Sequence, residues 1–248
     1  SANSADVPRF WLFCNTLLTP ILHSLNISPK PKNLSDGEIK LIGSILSLLI
    51  ITDDTNVGSL LRSWVTPYMC GELDVEPSFR KLMFKASFKS NELFDKLIHH
   101  FINAKMTEEK MNVLMGVSGS TDPNIIWDIY KFSMNENVKP QDGRFIFSAM
   151  GENSLARGIG WEFIKKNFTQ IDGHFKVKII LSRIVKDTIV RFCDLQIHDE
   201  IIEFIKSTPE IECERSLKAA LENIKINHSW LSRDNLKISE WLKENFSK

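Results

Sequence analysis

A succession of helix-start signals limits the folds open to this chain. Ser35 and Glu38 form a capping box, in which the serine serves the backbone N–H of the glutamate and the glutamate side chain reaches back. Residues 122–123 (Asp-Pro) and 208–209 (Thr-Pro) each place an N-cap residue before a proline at the first helical position. Because these signals recur along the chain, they predict an all-α protein.

The apolar residues between these signals recur at helical spacing. Five positions between residues 217 and 231 follow steps of three and four, which predicts one long helix. Segments 143–147 and 177–181 could pass for strands, but both lie in helical contexts. We count roughly twelve helices joined by short loops. Paired short helices without a strict repeat predict a curved α–α superhelix, a solenoid of the HEAT-like or armadillo-like type.

The chain has no composition break that would mark an internal linker. At 248 residues it can bury a substantial core, as one large domain or two small ones. We therefore expect one domain over residues 8–248. Residues 1–7 would form a tail, either disordered or left over from cloning.

Charge and hydropathy argue against several classes of function. Lys plus Arg equals Asp plus Glu at 31 each, so the chain lacks the basic field that nucleic-acid binding needs. The longest apolar stretch, residues 39–51, falls short of the roughly 20 residues that span a bilayer. The first ten residues lack the basic and apolar regions of a signal peptide. We expect neither a nucleic-acid partner nor a membrane span in this chain.

The histidines and cysteines lack the spacing of a metal site. His99 and His100 would diverge by about 100° around a helix, and no H-E-x-x-H motif occurs. No C-x-x-C motif occurs among the four cysteines, which are Cys14, Cys70, Cys193 and Cys213. The sequence therefore predicts no metal ligands and no catalytic residues in this chain.

Four blocks in order resemble one known family. Residues 122–168 place an Asp-Pro helix start, a Gln-Asp pair, a corner of small residues and then Trp-Glu-Phe followed by basic residues. Residues 181–206 and 216–246 supply two further blocks, and the fourth is a looser match that precedes residue 122. Together they resemble the C-terminal helical domain of the gluzincin aminopeptidases, the family of aminopeptidase N and the puromycin-sensitive and endoplasmic-reticulum aminopeptidases.

This resemblance implies a role inside a larger protein. The parent would be a zinc-dependent aminopeptidase that removes N-terminal residues from peptides, with the zinc and the catalytic groups in a domain outside this chain. This domain would cover the active site, and its partners would be the catalytic domain of the same parent chain and the peptide substrates. Two alternatives stay open. One is the same domain in a catalytically inactive relative, and the other is a stand-alone helical protein-binding scaffold, so whether the parent is an enzyme is undecided.

Site residues follow from the resemblance. In several family members, basic residues of this domain reach the C-terminal carboxylate of the peptide, and by motif position Arg183 is the candidate here. Lys186, one turn on, is a second. The competing interpretation is that Arg183 ties two helices together through a carboxylate such as Asp142. Gln141 and Asp142 are expected to cap their helix.

The segment 147–154 (FSAMGENS) contains the letters of G-A-M-E-N in another order. In the family, G-A-M-E-N is the loop that holds the free amino group of the peptide, but here the segment falls at the small-residue corner. We therefore predict a corner between two helices. Gly151 would take a C′ position with positive φ, and Asn153 or Ser154 would cap the next helix.

Two features bear on the compartment of the parent protein. Secreted family members commonly carry a cysteine seven residues after the position of Cys70, and here that residue is Pro77, so Cys70 is expected to be free. Five N-x-[ST] sequons occur where roughly two would arise by chance. They favour a secretory or cell-surface parent and leave a cytoplasmic one as the alternative. The sequons are at Asn26, Asn33, Asn167, Asn227 and Asn245.

Overall fold

The structure, a computed structural model, describes residues 6–25, 27–211 and 215–246. Twelve α-helices and one 3-10 turn, Val117–Gly119, make up its regular structure, with no strand in those ranges. The predicted all-α class is therefore confirmed, and the solenoid stays a prediction. The helices are α1 Asp6–Ser24, α2 Asp36–Ile51, α3 Thr55–Met69, α4 Pro77–Ser87, α5 Asn91–Asn103, α6 Thr107–Gly116, α7 Pro123–Phe132, α8 Pro140–Glu152, α9 Ser154–Phe175, α10 Lys178–Ile189, α11 Leu195–Ser207 and α12 Arg215–Asn245.

The helices cluster into two compact units. The central unit comprises residues 120–235, and the N-terminal unit comprises the described parts of residues 2–119 and 236–248. The long helix predicted near the end of the chain is α12, of 31 residues, which contributes to both units. Asp6 and Val7, which we assigned to the tail, are the first residues of α1. The single domain over 8–248 stays a prediction.

Two of the three predicted helix starts are confirmed by their hydrogen bonds. The Ser35 side chain accepts from the backbone N–H of Glu38, and the backbone N–H of Ser35 donates to the Glu38 carboxylate at 2.8 Å. At α7 the side chain of Asp122 accepts from the backbone N–H groups of the second and third helical residues, with proline at the first position. Local capping chemistry sets both boundaries.

The predicted helix start at Thr208 is wrong, because Thr208 ends a helix. Its backbone N–H donates to Ile205 O, and its hydroxyl donates to Phe204 O at 2.7 Å. Residues 209 and 210 form a turn and no helix follows them directly. A threonine hydroxyl serves the last carbonyls of one helix as readily as the first N–H groups of the next. The Thr-Pro pair therefore marks a helix boundary, but it does not show whether a helix ends or begins there.

The segment 147–154 is the corner between α8 and α9, as predicted. Asn153 caps α9, accepting from the backbone N–H groups of Leu155 and Ala156 at 3.0 and 3.1 Å. Gly151 does not take the predicted C′ position, because it lies inside α8 without a positive φ. A Cβ at Gly151 would lie closer than 3.0 Å to the carbonyl oxygen of Asp187 in α10. The glycine is needed for close helix packing rather than for backbone freedom.

An aromatic cluster forms the core of the central unit. Phe163 of α9 is 1% exposed and lies with its ring centroid 5.0 Å from Trp127, 5.4 Å from Tyr130 and 6.4 Å from Phe147. The Tyr130 hydroxyl is buried and donates to Ala156 O at 3.0 Å. The cluster joins α7, α8 and α9, because each helix contributes an aromatic side chain.

The Trp-Glu-Phe block has a packing explanation in the same unit. The indole N–H of Trp161 donates to the Glu200 carboxylate at 3.1 Å, and its ring packs on Phe204 at 5.2 Å. Lys165, one turn on, also pairs with Glu200. The block therefore fastens α9 to α11, which accounts for its residue types without any catalytic role.

Candidate functional site

Arg183 lies on the outward side of α10. Its helix buries an apolar side made of Leu181, Ile184, Val185 and Ile189, with Phe192 just beyond the end of the helix. The Arg183 side chain itself is exposed. The alkyl stem of Arg183 can therefore lie along the surface of α10, while its guanidinium group stays in water.

A groove of about 780 Å³ collects three basic side chains of the central unit. Arg183 and Lys186 line one wall from α10, and Arg215 lines the other from the first turn of α12, next to Ser216. Ala219 completes the lining. The positive end of the α12 dipole adds to the preference for an anion, since negative charge is favoured at helix N-termini. Sequence reasoning missed Arg215, because only the tertiary fold brings it close to α10.

The two predicted site residues, Arg183 and Lys186, differ in whether an acidic side chain already pairs with them. Lys186 pairs with its neighbour Asp187, Nζ to Oδ1 at 2.7 Å. Arg183 makes no hydrogen bond or ion pair with any other residue that the structure describes, and so the alternative tie to Asp142 is not formed there. An arginine without a carboxylate keeps its planar fork open to an incoming one.

Gln141 and Asp142 do not occupy the cap of α8. The helix begins at Pro140, and Lys139 holds the N-cap position without a side-chain capping hydrogen bond. Both predicted caps therefore lie inside the first turn. There the Asp142 carboxylate can favour the helix through the macrodipole, because the N-terminal turn attracts negative charge. The correction arises because Pro140 takes the first helical position, which moves the start two residues earlier than the Gln-Asp pair suggests.

A second polar cluster lies in the N-terminal unit and was not foreseen. The Tyr68 hydroxyl donates to Glu109 Oε2 at 2.8 Å, and His100 Nε2 lies 2.6 Å from Glu109 Oε1. Because an ionised carboxylate only accepts, Nε2 is the protonated nitrogen of His100. The carboxylate thus joins α3, α5 and α6. Tyr68 and His100 lie 41 and 9 positions before Glu109, and no sequence signal relates residues at these separations.

Charged side chains surround this Tyr68–His100–Glu109 cluster. The Arg80 guanidinium lies 5.6 Å from the Tyr68 ring centroid and donates from Nε to Val75 O at 3.0 Å. Its terminal nitrogens come within 4.0 Å of Asp74 and Glu108. A groove of about 650 Å³ opens over the cluster. With acids and bases interleaved, the groove has no single sign of charge to select a ligand.

The cluster shifts the pKa of two of its members. Burial alone would raise the pKa of Glu109, but the hydrogen bonds from His100 and Tyr68 outweigh it and hold this pKa below its usual value. Burial, followed by the hydrogen bond to Glu109, raises the pKa of Tyr68. The ionised carboxylate is therefore the stable form, and the hydrogen bonds that join the three helices depend on it.

Replacing Glu109 by glutamine should lower stability in a pH-dependent way. Because the folded pKa of Glu109 is depressed, its contribution is complete above the ordinary glutamate pKa of about 4.3 and is lost as the pH falls through the folded value. We expect a loss of roughly 1–3 kcal/mol at pH 7, which shrinks below pH 4. Urea unfolding at pH 7, 5, 4 and 3 measures it. Glu108→Gln is the matched control, since Glu108 is largely exposed and should change stability little.

The histidines and cysteines that the structure describes form no cluster suited to a metal ion. Within the three described ranges, no group of three or more His, Cys, Asp or Glu side chains could hold a metal ion. His99 is exposed and contacts Asn103, whereas His100 belongs to the cluster around Glu109. Cys70 is free and exposed, as predicted. Cys14 and Cys193 are also free, and Cys213 lies outside the described residues. No single described helix is both long and apolar enough to cross a bilayer.

The sequons differ in their surroundings. Asn33 is exposed in the loop between α1 and α2 at φ 62°. Asn167, Asn227 and Asn245 lie in helices, where the side-chain amide of each donates to backbone carbonyls. Asn26 lies outside the described residues. The preference for a secretory or cell-surface parent stays a prediction.

Comparisons with known proteins point to one family. The model of the ERAP1-like C-terminal domain matches residues 3–226. Aminopeptidase M1-D of Oryza sativa subsp. japonica is 24% identical over 221 residues, which are 87% of this chain and 25% of that protein. The probable aminopeptidase 1 of Saccharolobus solfataricus is 25% identical over 62% of the chain and 20% of its own length. Endoplasmic reticulum aminopeptidase 1 of Mus musculus is 21% identical over 70% of the chain and 19% of its own. The chain thus spans a quarter or less of these relatives.

Proposed function

Since this chain belongs to the family of ERAP1-like C-terminal domains, we propose that it is the substrate-enclosing domain of a zinc-dependent aminopeptidase. The single observation that carries the proposal is the family match over residues 3–226. The aminopeptidases named above support it, because each aligns with this chain over a quarter or less of its length. The remaining length has room for a catalytic domain in another part of the parent protein.

Zinc chemistry is assigned to the rest of the parent protein. The donor groups that this chain offers do not fit a zinc site, because the described residues bring no three of them together. Zinc in proteins takes three or four such ligands. We therefore derive no catalytic step from this chain, whose role is to bind, enclose and position.

Enclosure assists catalysis through water exclusion. A chamber that closes over a peptide removes water from the scissile bond and strengthens each charge contact inside, because the effective dielectric falls. A domain that hinges can also gate substrate entry and product release. We propose that this chain serves the parent in both ways.

The groove lined by Arg183, Lys186 and Arg215 is the proposed binding site for the C-terminal carboxylate of the peptide. Arg183 is exposed and has no carboxylate of its own among the described residues, and the two other cations flank it. A guanidinium binds a carboxylate through two parallel hydrogen bonds. Lys186 is already engaged by Asp187, and so we expect Arg183 to contribute more.

Replacing Arg183 by alanine in the complete protein should weaken its action on longer peptides. A charge-assisted hydrogen bond is worth roughly 1.5–3 kcal/mol, and so kcat/KM should fall about tenfold to a hundredfold. Short chromogenic substrates should change little, because they do not reach from the active site to the groove. The measurement is kcat/KM for both substrate classes with wild type and variant.

Arg233→Ala is the matched control, because Arg233 is an exposed arginine outside the groove and pairs with the adjacent Asp234. It should leave both substrate classes unchanged. Equal losses on both classes for Arg183→Ala would mean that the residue holds the fold, and no loss on either would mean that it serves no substrate. A complete protein that hydrolyses no aminoacyl substrate at all would favour the inactive relative.

A further inference from the structure

Two arginines of this chain have no partner among the residues that the structure describes. Arg183 and Arg215 make no hydrogen bond, ion pair or cation–π contact there, and both are exposed. The chain has nine arginines, and each of the other seven has at least one such contact. Those seven are Arg9, Arg62, Arg80, Arg144, Arg157, Arg191 and Arg233. The two unpaired arginines line the same groove, one from α10 and one from α12.

This groove holds one free cation more than a single carboxylate needs. A carboxylate can accept both of its strong hydrogen bonds from one guanidinium fork, so Arg183 alone can hold the C-terminal carboxylate of a peptide. Lys186 is already paired with Asp187 at 2.7 Å. Arg215, on the opposite wall, is therefore left as a second cation that can receive a further negative charge.

The rest of the lining offers little to an apolar side chain. Among the described residues, Ala219 is the only apolar side chain that lines the groove, and Ser216 adds a hydroxyl group. Sites that hold apolar groups are lined mainly by hydrophobic and aromatic side chains. A large apolar residue at the end of a peptide would therefore bury little of its surface here, whereas an anionic one would meet a cation.

We propose that the groove selects peptides whose last residue is aspartate or glutamate. Arg183 binds the main-chain carboxylate, and Arg215 binds the side-chain carboxylate, with the Ser216 hydroxyl as a further donor. The N-terminal end of α12, where Arg215 lies, favours the same negative charge through the helix dipole. The inference rests on the proposed function and deepens it, because it names the class of substrate and makes Arg215 the residue that determines this specificity.

Three peptides of the same length that differ only in their last residue test the proposal. They end in glutamate, glutamine or leucine, and kcat/KM is measured for each with the complete protein. The glutamate peptide should be cleaved with a kcat/KM at least about fivefold above that of the glutamine peptide, because only glutamate adds an ion pair with a free arginine. Equal values for these two peptides would overturn the proposal. So would a higher value for the leucine peptide, which would indicate an apolar site.

Three variants of the complete protein separate the role of Arg215 from a general effect of charge or structure. Arg215→Gln should lower the kcat/KM of the glutamate peptide to that of the glutamine peptide and leave the latter unchanged. Arg183→Ala should lower both by the same factor, because both peptides carry the main-chain carboxylate. Lys218→Gln is the matched control, since Lys218 is exposed in the same helix but does not line the groove, and it should keep the preference.

Two results for these variants would contradict the assigned role of Arg215. If Arg215→Gln weakens the glutamate and glutamine peptides equally, Arg215 serves the fold or the main-chain carboxylate, and the specificity is not its own. If Lys218→Gln removes the preference as fully as Arg215→Gln does, the preference reflects the field of the whole surface and the proposal fails.

The same peptides distinguish failure of this inference from failure of the proposed function. Cleavage without a preference for glutamate, but with the loss expected for Arg183→Ala, leaves the proposed function standing and overturns the inference. If the complete protein cleaves none of the peptides, their binding is measured by fluorescence anisotropy with a label on an internal lysine. Tighter binding of the glutamate peptide that Arg215→Gln abolishes then supports the specificity while the enzymatic role fails. Equal or absent binding means that both fail.

Discussion

Replacing Phe163 by alanine should lower the free energy of unfolding by roughly 3–5 kcal/mol. The side chain is 1% exposed, and its ring touches Trp127 and Tyr130 within the aromatic cluster of the central unit. The truncation removes the transfer free energy of a buried ring and leaves a cavity that rigid aromatic neighbours cannot fill. Because whole domains are stable by only about 5–15 kcal/mol, such a loss is a large part of the total.

Urea unfolding followed by circular dichroism at 222 nm measures this loss. Leu155→Ala is the matched control, because Leu155 belongs to the same helix but is 44% exposed. The control should change the free energy of unfolding by no more than about 0.5 kcal/mol. A loss below 1 kcal/mol for Phe163→Ala would contradict the packing described for this cluster.

Replacing Gly151 by alanine should lower the free energy of unfolding by about 2–3 kcal/mol, although alanine is the better helix former. The new Cβ would lie closer than 3.0 Å to the carbonyl oxygen of Asp187, and its distance to the carbonyl carbon would be 3.2 Å. Both atoms belong to the backbone of α10, so no side-chain rotation can relieve the contact. The two helices must move apart, which disturbs the packing on both.

Gly158→Ala supplies the matched comparison for Gly151. Gly158 also lies inside a helix, but it is exposed and a Cβ there would meet nothing within 4 Å. We expect this variant to raise the free energy of unfolding by up to about 1 kcal/mol, which is the propensity difference alone. Thermal and urea unfolding of both variants measure whether each substitution raises or lowers the free energy of unfolding. Stabilisation by Gly151→Ala would show that α8 and α10 are less close than described.

The parts of the fold that sequence reasoning predicted depend on local chemistry. The capping box at Ser35 and the Asp-Pro start at residue 122 rely on side chains and N–H groups within three positions of each other. The long helix near the end of the chain, which is α12, was predicted from the helical period alone. None of these three predictions needs knowledge of what the helix packs against, and all three are confirmed.

The predictions that failed depend on neighbours distant in the sequence, or on choices that local chemistry leaves open. Thr208 has cap chemistry for either end of a helix, and the pattern around it does not decide between them. Gly151 suggested a positive φ, whereas its real constraint is a carbonyl group 36 positions away in α10. A glycine looks the same in the sequence under both constraints.

The candidate site was predicted in part for the same reason. Arg183 and Lys186 came from a motif position in one helix, and both line the groove. Arg215 reaches the groove from a helix that begins 32 positions after Arg183, and no spacing rule relates the two. The Glu109 cluster likewise combines three helices, so only coordinates reveal it.

The two tyrosines of this chain give it an unusual optical property. Tyr68 lies in the N-terminal unit and Tyr130 in the central unit, and burial raises the pKa of both phenols. Phenolate absorbs near 295 nm, where the neutral phenol is nearly transparent. When the pH is raised, the folded protein should show no phenolate absorbance at pH 10, where an ordinary tyrosine ionises. The absorbance should appear only at higher pH. Tyr130 is fully buried, so its absorbance step should report the opening of the central unit without any added label.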